Sequence, residues 1–245
     1  MLSYSFLYTL IFQSTPCFFF FLFVICLSIL IGYLDSIKSR HYIFDPEKLH
    51  TLAQRALLAN GHLKNIDGKL MPILQENANS TRPVIDYIVR ELRKTIDTRY
   101  LTNEEEWIFN NAGGAMGAMF IIHASLTEYL IIFGTPLGTE GHTGLHTADD
   151  YFHILYGEQW AFSAGSLEKE VYQVGSVHVL PKGTSKQFKM HKGCWALEYA
   201  RGWIPPMMPF GLADTLTSTL DLKTLYHTIR ISGREMIRNV LQGKI

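Results

Sequence analysis

The run CWALEYA, residues 194–200, sets one acid, Glu198, inside an apolar, strand-prone stretch. Successive side chains of a strand point to opposite faces. One face therefore carries Cys194, Ala196, Glu198 and Ala200, and the other Trp195, Leu197 and Tyr199. A carboxyl flanked only by small side chains leaves room beside it for something else. Taken alone, the run also fits an exposed strand face on which Glu198 meets water, because glutamate is rarely buried unless paired or functional. A second acidic site, Asp149-Asp150 within HTADDYF (146–152), offers such a pairing.

Two carboxyls enclosed in apolar surroundings are suited to moving protons. Burial penalises the charged form and raises a carboxyl pKa, and a like charge nearby raises one of the pair further. The result is an acid that keeps its proton near neutral pH beside a base that can receive one.

The elements that would have to position these acids follow from the rest of the chain. It has 245 residues, 47% of them hydrophobic, and a formal net charge of zero. That length closes one sizeable core. The neutral balance argues against a nucleic-acid partner, whose phosphates call for a basic excess. Three cysteines, Cys17, Cys26 and Cys194, make neither a disulfide framework nor a zinc spacing. The first 34 residues lack Asp, Glu, Lys and Arg, and the run from Cys17 to Leu34 is close to the length a bilayer helix needs. The absence of a basic start and of a small-x-small cleavage site favours an uncleaved anchor over a signal peptide. Lys38 and Arg40 after the span argue for a cytoplasmic body, whereas the sequon Asn79-Ser80-Thr81 argues for a lumenal one. Orientation stays open.

Beyond the anchor (residues 1–40), the chain reads as a helical segment with a loop insertion (41–104), a β-rich region (105–203) and C-terminal helices (204–245). Asp45 caps a helix with Leu49, Leu52, Ala53, Ala56 and Leu57 on one stripe, stopped at Asn60-Gly61. Residues 62–80 read as a polar surface loop, and Val84, Ile85, Ile88, Val89 and Leu92 mark a second helix. Short β-prone runs broken by glycines then indicate a sandwich or barrel, which can hold one ligand inside. Asp221 caps a last helix with Leu222, Leu225, Ile229, Met236 and Val240 as its apolar stripe and Lys223, Arg230, Arg234 and Arg238 off it. In a chain with a bilayer anchor, such a basic amphipathic helix is expected to touch the membrane.

EEWIFNNAGGAMGAMFIIHASLTEYLIIFGTPLGTEGHTG (105–144), ADDYF (148–152), ALEYARGWIP (196–205) and DTLTSTLDLKTLY (214–226) resemble the fungal-type C-8 sterol isomerases, which are homologous to the sigma non-opioid receptor. The resemblance covers roughly residues 40–240. It implies an α+β fold: one N-terminal transmembrane helix, a cupin-like β-barrel and two C-terminal amphipathic, membrane-associated helices. It implies a single-pass protein of the endoplasmic reticulum membrane, with a homotrimer carried over from the receptor branch. The implied reaction moves a sterol ring double bond from position 8 to position 7, without metal or organic cofactor. The rival reading is a non-catalytic receptor for lipophilic amines or sterols. A protonated amine imitates the carbocation of the isomerisation, so such amines are expected inhibitors.

Residue by residue, Glu198 matches the glutamate that holds the ligand's amine in the receptor branch. Its catalytic partner is Asp149 or Asp150, with Asp149 preferred. Tyr129 matches a receptor tyrosine that hydrogen-bonds that glutamate. Trp107, Met116, Phe133, Tyr172, Phe188 and Trp195 are candidate walls for a flat sterol. Glu128 points away from Tyr129 along the same strand and reads as structural, bonding backbone. A metal-dependent cupin is the minor alternative. His142, His146 and His153 are spaced by four and then seven in a glycine-broken loop, unlike the usual His-x-His on a strand. The stretch GTEGHTG more simply makes a turn, with Gly138, Gly141 and Gly144 free to take positive φ.

Overall fold

The structure is a computed structural model that describes residues 4–73 and 81–245, with side chains described from Phe18 onward. The sequon residue Asn79 lies outside the described residues. The chain forms two compact units, Met1–His41 and Tyr42–Ile245.

The first unit is helix α1 (Tyr4–Ile37), followed by a 3-10 turn bearing Lys38, Arg40 and His41. Its described apolar side chains, Phe18 to Ile31 among them, are exposed around the helix. A helix that is apolar all round suits a membrane interior. Among the described residues it is the one helix long and apolar enough to cross a bilayer.

The second unit begins with α2 (Pro46–Ala59). Asp45 accepts a hydrogen bond from the Lys48 N–H at 2.9 Å, and Pro46 takes the first helical position, where no amide proton is missed. Leu49, Ala53, Ala56 and Leu57 form its buried face. The stretch expected to be loop is instead, up to Pro72, a hairpin of β1 (Leu63–Ile66) and β2 (Lys69–Pro72). Asp67 and Gly68 take φ of 51° and 82° at its turn. An Asp-Gly pair suits such a turn because both central residues need positive φ. Helix α3 (Thr81–Thr95) packs Val84, Ile85, Ile88 and Leu92 into the same core as α2.

Ten strands follow: β3 (Trp107–Ala112), β4 (Ala115–Ala124), β5 (Glu128–Thr135), β6 (Thr139–His142), β7 (Ala148–Tyr156), β8 (Glu158–Phe162), β9 (Glu170–Gln173), β10 (Val177–Leu180), β11 (Gln187–Met190) and β12 (Cys194–Gly202). They form a six-stranded sheet, β10-β7-β12-β5-β4-β3, and a four-stranded sheet, β6-β11-β8-β9, with every pairing antiparallel. The alternation along β12 explains how the larger sheet is covered. Leu197 and Tyr199 join α2 and α3 in one core cluster; Cys194 and Ala196 join Phe188 and Met190 of the smaller sheet in another. Both faces of the central strands are therefore buried, and each fully buried leucine or isoleucine there contributes about 1.5–3 kcal/mol relative to exposure.

The C-terminal part consists of α4 (Met208–Asp214), a π turn over Thr215–Thr219 and α5 (Leu222–Leu241). Asp221 caps α5, accepting from the Thr224 N–H at 2.9 Å. The apolar stripe read from the sequence faces the protein core only in part: Met236 packs against it, whereas Leu222, Ile229 and Val240 are exposed, with Tyr226 and Ile237 beside them. What α5 buries is Ile231, Ser232, Glu235 and Asn239.

Glu128, at the start of β5, is fully buried and anchors the N-terminal approach to the sheet. Its carboxyl accepts from the backbone N–H groups of Ile43 (2.8 Å) and Phe44 (3.0 Å) and from the Tyr199 hydroxyl (2.6 Å). It also forms an ion pair with the buried Lys244 at 2.9 Å.

Candidate active site

Three adjacent strands bring the acids together. On β12, Ala200 pairs with Tyr129 of β5 on one side and with Asp150 of β7 on the other. Glu198 lies two residues back along β12, on the same face as Ala200. It is the diagonal neighbour of both Tyr129 and Asp150, within reach of long side chains. The methyl group of Ala200 fills little of the space between them, so the Glu198 carboxyl extends across it toward Asp150.

Asp150 is 1% exposed, while Glu198 keeps part of its surface open, and that surface lines an internal cavity. The two carboxyls hydrogen-bond each other. Burial pushes the Asp150 carboxyl up to about 7, against the hydrogen bonds it accepts from the Tyr151 backbone and from Glu198. Burial, then the Asp150 charge, then the shared hydrogen bond hold Glu198 well above the ordinary glutamate range. The pair can therefore hold one proton between its two carboxyls near neutral pH. The Asp150 Oδ1 atom is buried without a hydrogen-bond partner in the protein.

The cavity holds about 990 Å³ of empty space, its open mouth included. Met119, Ile131, Phe133, Phe152 and Phe188 form its sheet-side walls, and Met207, Met208, Phe210 and Leu212 of the α4 region contribute an apolar side. The unusual NNAGGAMGAM stretch has a packing reason here. Gly113 and Gly114 turn β3 into β4 at φ of 64° and 83°. At Gly117 a Cβ would lie 2.7 Å from the Phe133 ring, so only glycine lets that ring lie against β4.

The remaining sequence candidates divide. Tyr129, Phe133 and Phe188 line the cavity with Glu198 and Asp150. Asp149 does not: it points to the other face of β7, where it accepts from the Lys182 N–H at 3.0 Å and lies 3.8 Å from the Arg201 guanidinium. The Tyr129 hydroxyl is paired with Ser232 Oγ of α5 at 3.0 Å, and senses Glu198 only as a nearby charge. Trp107 and Met116 are exposed on the β3–β4 hairpin, and Trp195 packs edge-on against Trp107 on the sheet's other face. Tyr172 stacks on His178 at 4.4 Å and donates to Glu170, outside the cavity lining. Strand parity already separates Trp195 from Glu198. Phe152 was overlooked although it shares parity with Asp150. The α4 residues carry no periodic signal that would assign them to a site.

The histidines are likewise dispersed. His142 and His146 line the cavity, whereas His153 lies on the opposite face of β7 with its Nδ1 3.3 Å from Nδ1 of His50. Among the described residues no group of three His, Cys, Asp or Glu side chains is arranged to hold a metal ion.

Comparison with known proteins relates the chain to one family, two relatives and one solved structure. A sequence profile of the family described as "ERG2 and Sigma1 receptor like protein" matches residues 21–244. The C-8 sterol isomerase erg2 of Aspergillus fumigatus is 57% identical over 222 residues, covering 91% of this chain and 86% of that protein. Sigma non-opioid intracellular receptor 1 of Xenopus tropicalis is 40% identical over 151 residues, 61% of this chain and 68% of that one. Among solved structures, an RmlC-like cupin from Shewanella frigidimarina matches with a TM-score of 0.36 and 14% identity, over 42% of this chain and 89% of that chain.

Proposed function

This chain belongs to the ERG2 and Sigma1 receptor like protein family, and we infer that it is a C-8 sterol isomerase whose acid and base are Glu198 and Asp150. The observation that carries the reading is the buried carboxyl pair facing an apolar cavity.

The chemistry follows from what the pair can hold. An isolated alkene is a very weak base, so its protonation needs an undissociated acid close to the carbon. Glu198 delivers its proton to C9 of the 8(9) double bond, and the positive charge appears at the tertiary carbon C8. At that moment both carboxyls are anionic and flank the cation, an electrostatic arrangement that favours the intermediate over the neutral substrate. Loss of a proton from C7 to the pair forms the 7(8) double bond and restores the single shared proton. One proton enters, one leaves, and the site is ready again. Phe133, Phe152 and Phe188 exclude water that would otherwise trap the cation. The same anionic pair would receive a lipophilic amine in its protonated form.

The anchor and the exposed stripe on α5 fit this substrate. Helix α1 holds the protein to the endoplasmic reticulum membrane as a single pass. The exposed Leu222, Tyr226, Ile229, Ile237 and Val240 let α5 lie against lipid, from which a sterol arrives. A receptor without catalysis is the second reading; the higher identity to the Aspergillus isomerase, over a larger share of this chain, favours the enzyme.

The test is rescue of a microbial strain lacking its sterol isomerase, read as sterol composition. Conversion of accumulated delta-8 sterols to delta-7 sterols is expected. Persistent delta-8 sterols with verified expression would overturn the enzyme in favour of the receptor.

A further inference from the structure

Tyr129 is a diagonal neighbour of Glu198 on the cavity face, close enough for its hydroxyl to reach the carboxyl. It does not do so. Its hydroxyl is 3.0 Å from Ser232 Oγ, a side chain 1% exposed on the buried face of α5. Among the other polar groups of α5, Thr228 lines the cavity but donates to the Thr224 carbonyl at 2.9 Å. Glu235 is held by Arg234 and Arg238, and Asn239 donates to the Ala124 carbonyl.

We propose that Ser232 is a positioning residue for the isomerisation: by pairing with the Tyr129 hydroxyl, it keeps that group from Glu198. The proposal rests on the isomerase reading above. Its physical basis is the asymmetry of hydrogen bonding to acids. A donor aimed at a carboxyl stabilises the carboxylate and weakens the acid. Glu198 has to protonate an alkene and therefore works best with few donors around it. Facing it are Asp150 from β7, which accepts rather than donates, Tyr129 from β5, and His142 and His146 from the segment before β7. The cavity-lining residues of β4, β11 and α4 carry no titratable side chain. Tyr129 is the donor that the strand register sets diagonally beside Glu198, and Ser232 holds it off.

The test is the pH profile of turnover on a delta-8 sterol by the full chain in lipid. Ser232→Ala frees the Tyr129 hydroxyl to turn toward Glu198. The alkaline limb is then expected to move down by about one pH unit, so that turnover falls up to about tenfold above neutrality and stays at the wild-type level near pH 5.5. Ser232→Thr keeps the hydroxyl that pairs with Tyr129 and is expected to keep the wild-type limb. Adding Tyr129→Phe to Ser232→Ala removes the liberated donor and is expected to bring the limb back up. Ser232→Cys, similar in size but a weaker hydrogen-bond partner, moves the limb the same way by less, and serves if the alanine variant does not fold. A limb that stays put, or turnover reduced equally at every pH, overturns the role of Ser232. Absence of turnover by the unmodified chain would instead overturn the isomerase reading.

Discussion

Two buried glutamates in neighbouring strands show how environment assigns a role. Glu128 and Glu198 sit on β5 and β12 and point to opposite faces of the same sheet. Glu128 is surrounded by donors: two backbone N–H groups, the Tyr199 hydroxyl and the Lys244 ammonium. Glu198 has another carboxyl for a partner and an apolar cavity in front of it. A glutamate ringed by donors ties segments together; one left with an acid and a void keeps a proton to give. On the proposed mechanism, the same residue type is a fastener in one place and a reagent in the other.

The comparison is broken most severely by removing the reagent. Glu198→Gln keeps the shape and loses the transferable proton, and turnover is expected to fall by about 10²–10⁴, the usual range for a general acid or base. Asp150→Asn is expected to fall in the same range. Both variants are expected to fold, and thermal melts across pH sharpen the contrast. The folded-state values of the pair lie above those of the unfolded chain, so the native state binds more protons. Their contribution to stability is complete at low pH and is lost as pH rises through the raised values, about 7 for Asp150. Asp150→Asn removes that loss. Its melting temperature is expected to exceed wild type at pH 8 and to approach it near pH 4.

Glu128→Gln attacks the fastener. It leaves a buried lysine without its counter-charge and is expected to cost about 3–5 kcal/mol, read as a lowered melting temperature at neutral pH. Turnover by the fraction that remains folded should change far less than in Glu198→Gln. If Glu128→Gln melted normally and lost turnover, the two roles would have been exchanged. The smallest effect belongs to Asp149→Asn. Its side chain faces Lys182 and Arg201 away from the cavity, so turnover should stay within about twofold of wild type, as surface changes usually do.

Glu198 was legible because β12 carries an asymmetric pattern. Small residues on one face and large ones on the other identify which side has space. The strand β7 lacks that asymmetry. Asp149 shares its face with Tyr151 and His153, and Asp150 with Phe152 and Ile154, so either face could belong to a cavity or a core. Only the register against β12 selects Asp150. The helices α2, α3 and α5 were readable from caps and periodicity, whereas the direction of the α5 stripe was not. Periodicity reports that a helix has an apolar side and leaves open what that side meets. The hairpin at 63–72 carried a readable Asp-Gly turn that the polarity of its surroundings obscured.

Ala200 has one more consequence. The backbone interval between the two acids is set by strand pitch and by the spacing between hydrogen-bonded strands, and the small Ala200 side chain leaves that interval open. The aromatic and methionine lining can therefore be recut for a different ring skeleton while the proton-handling pair keeps its gauge.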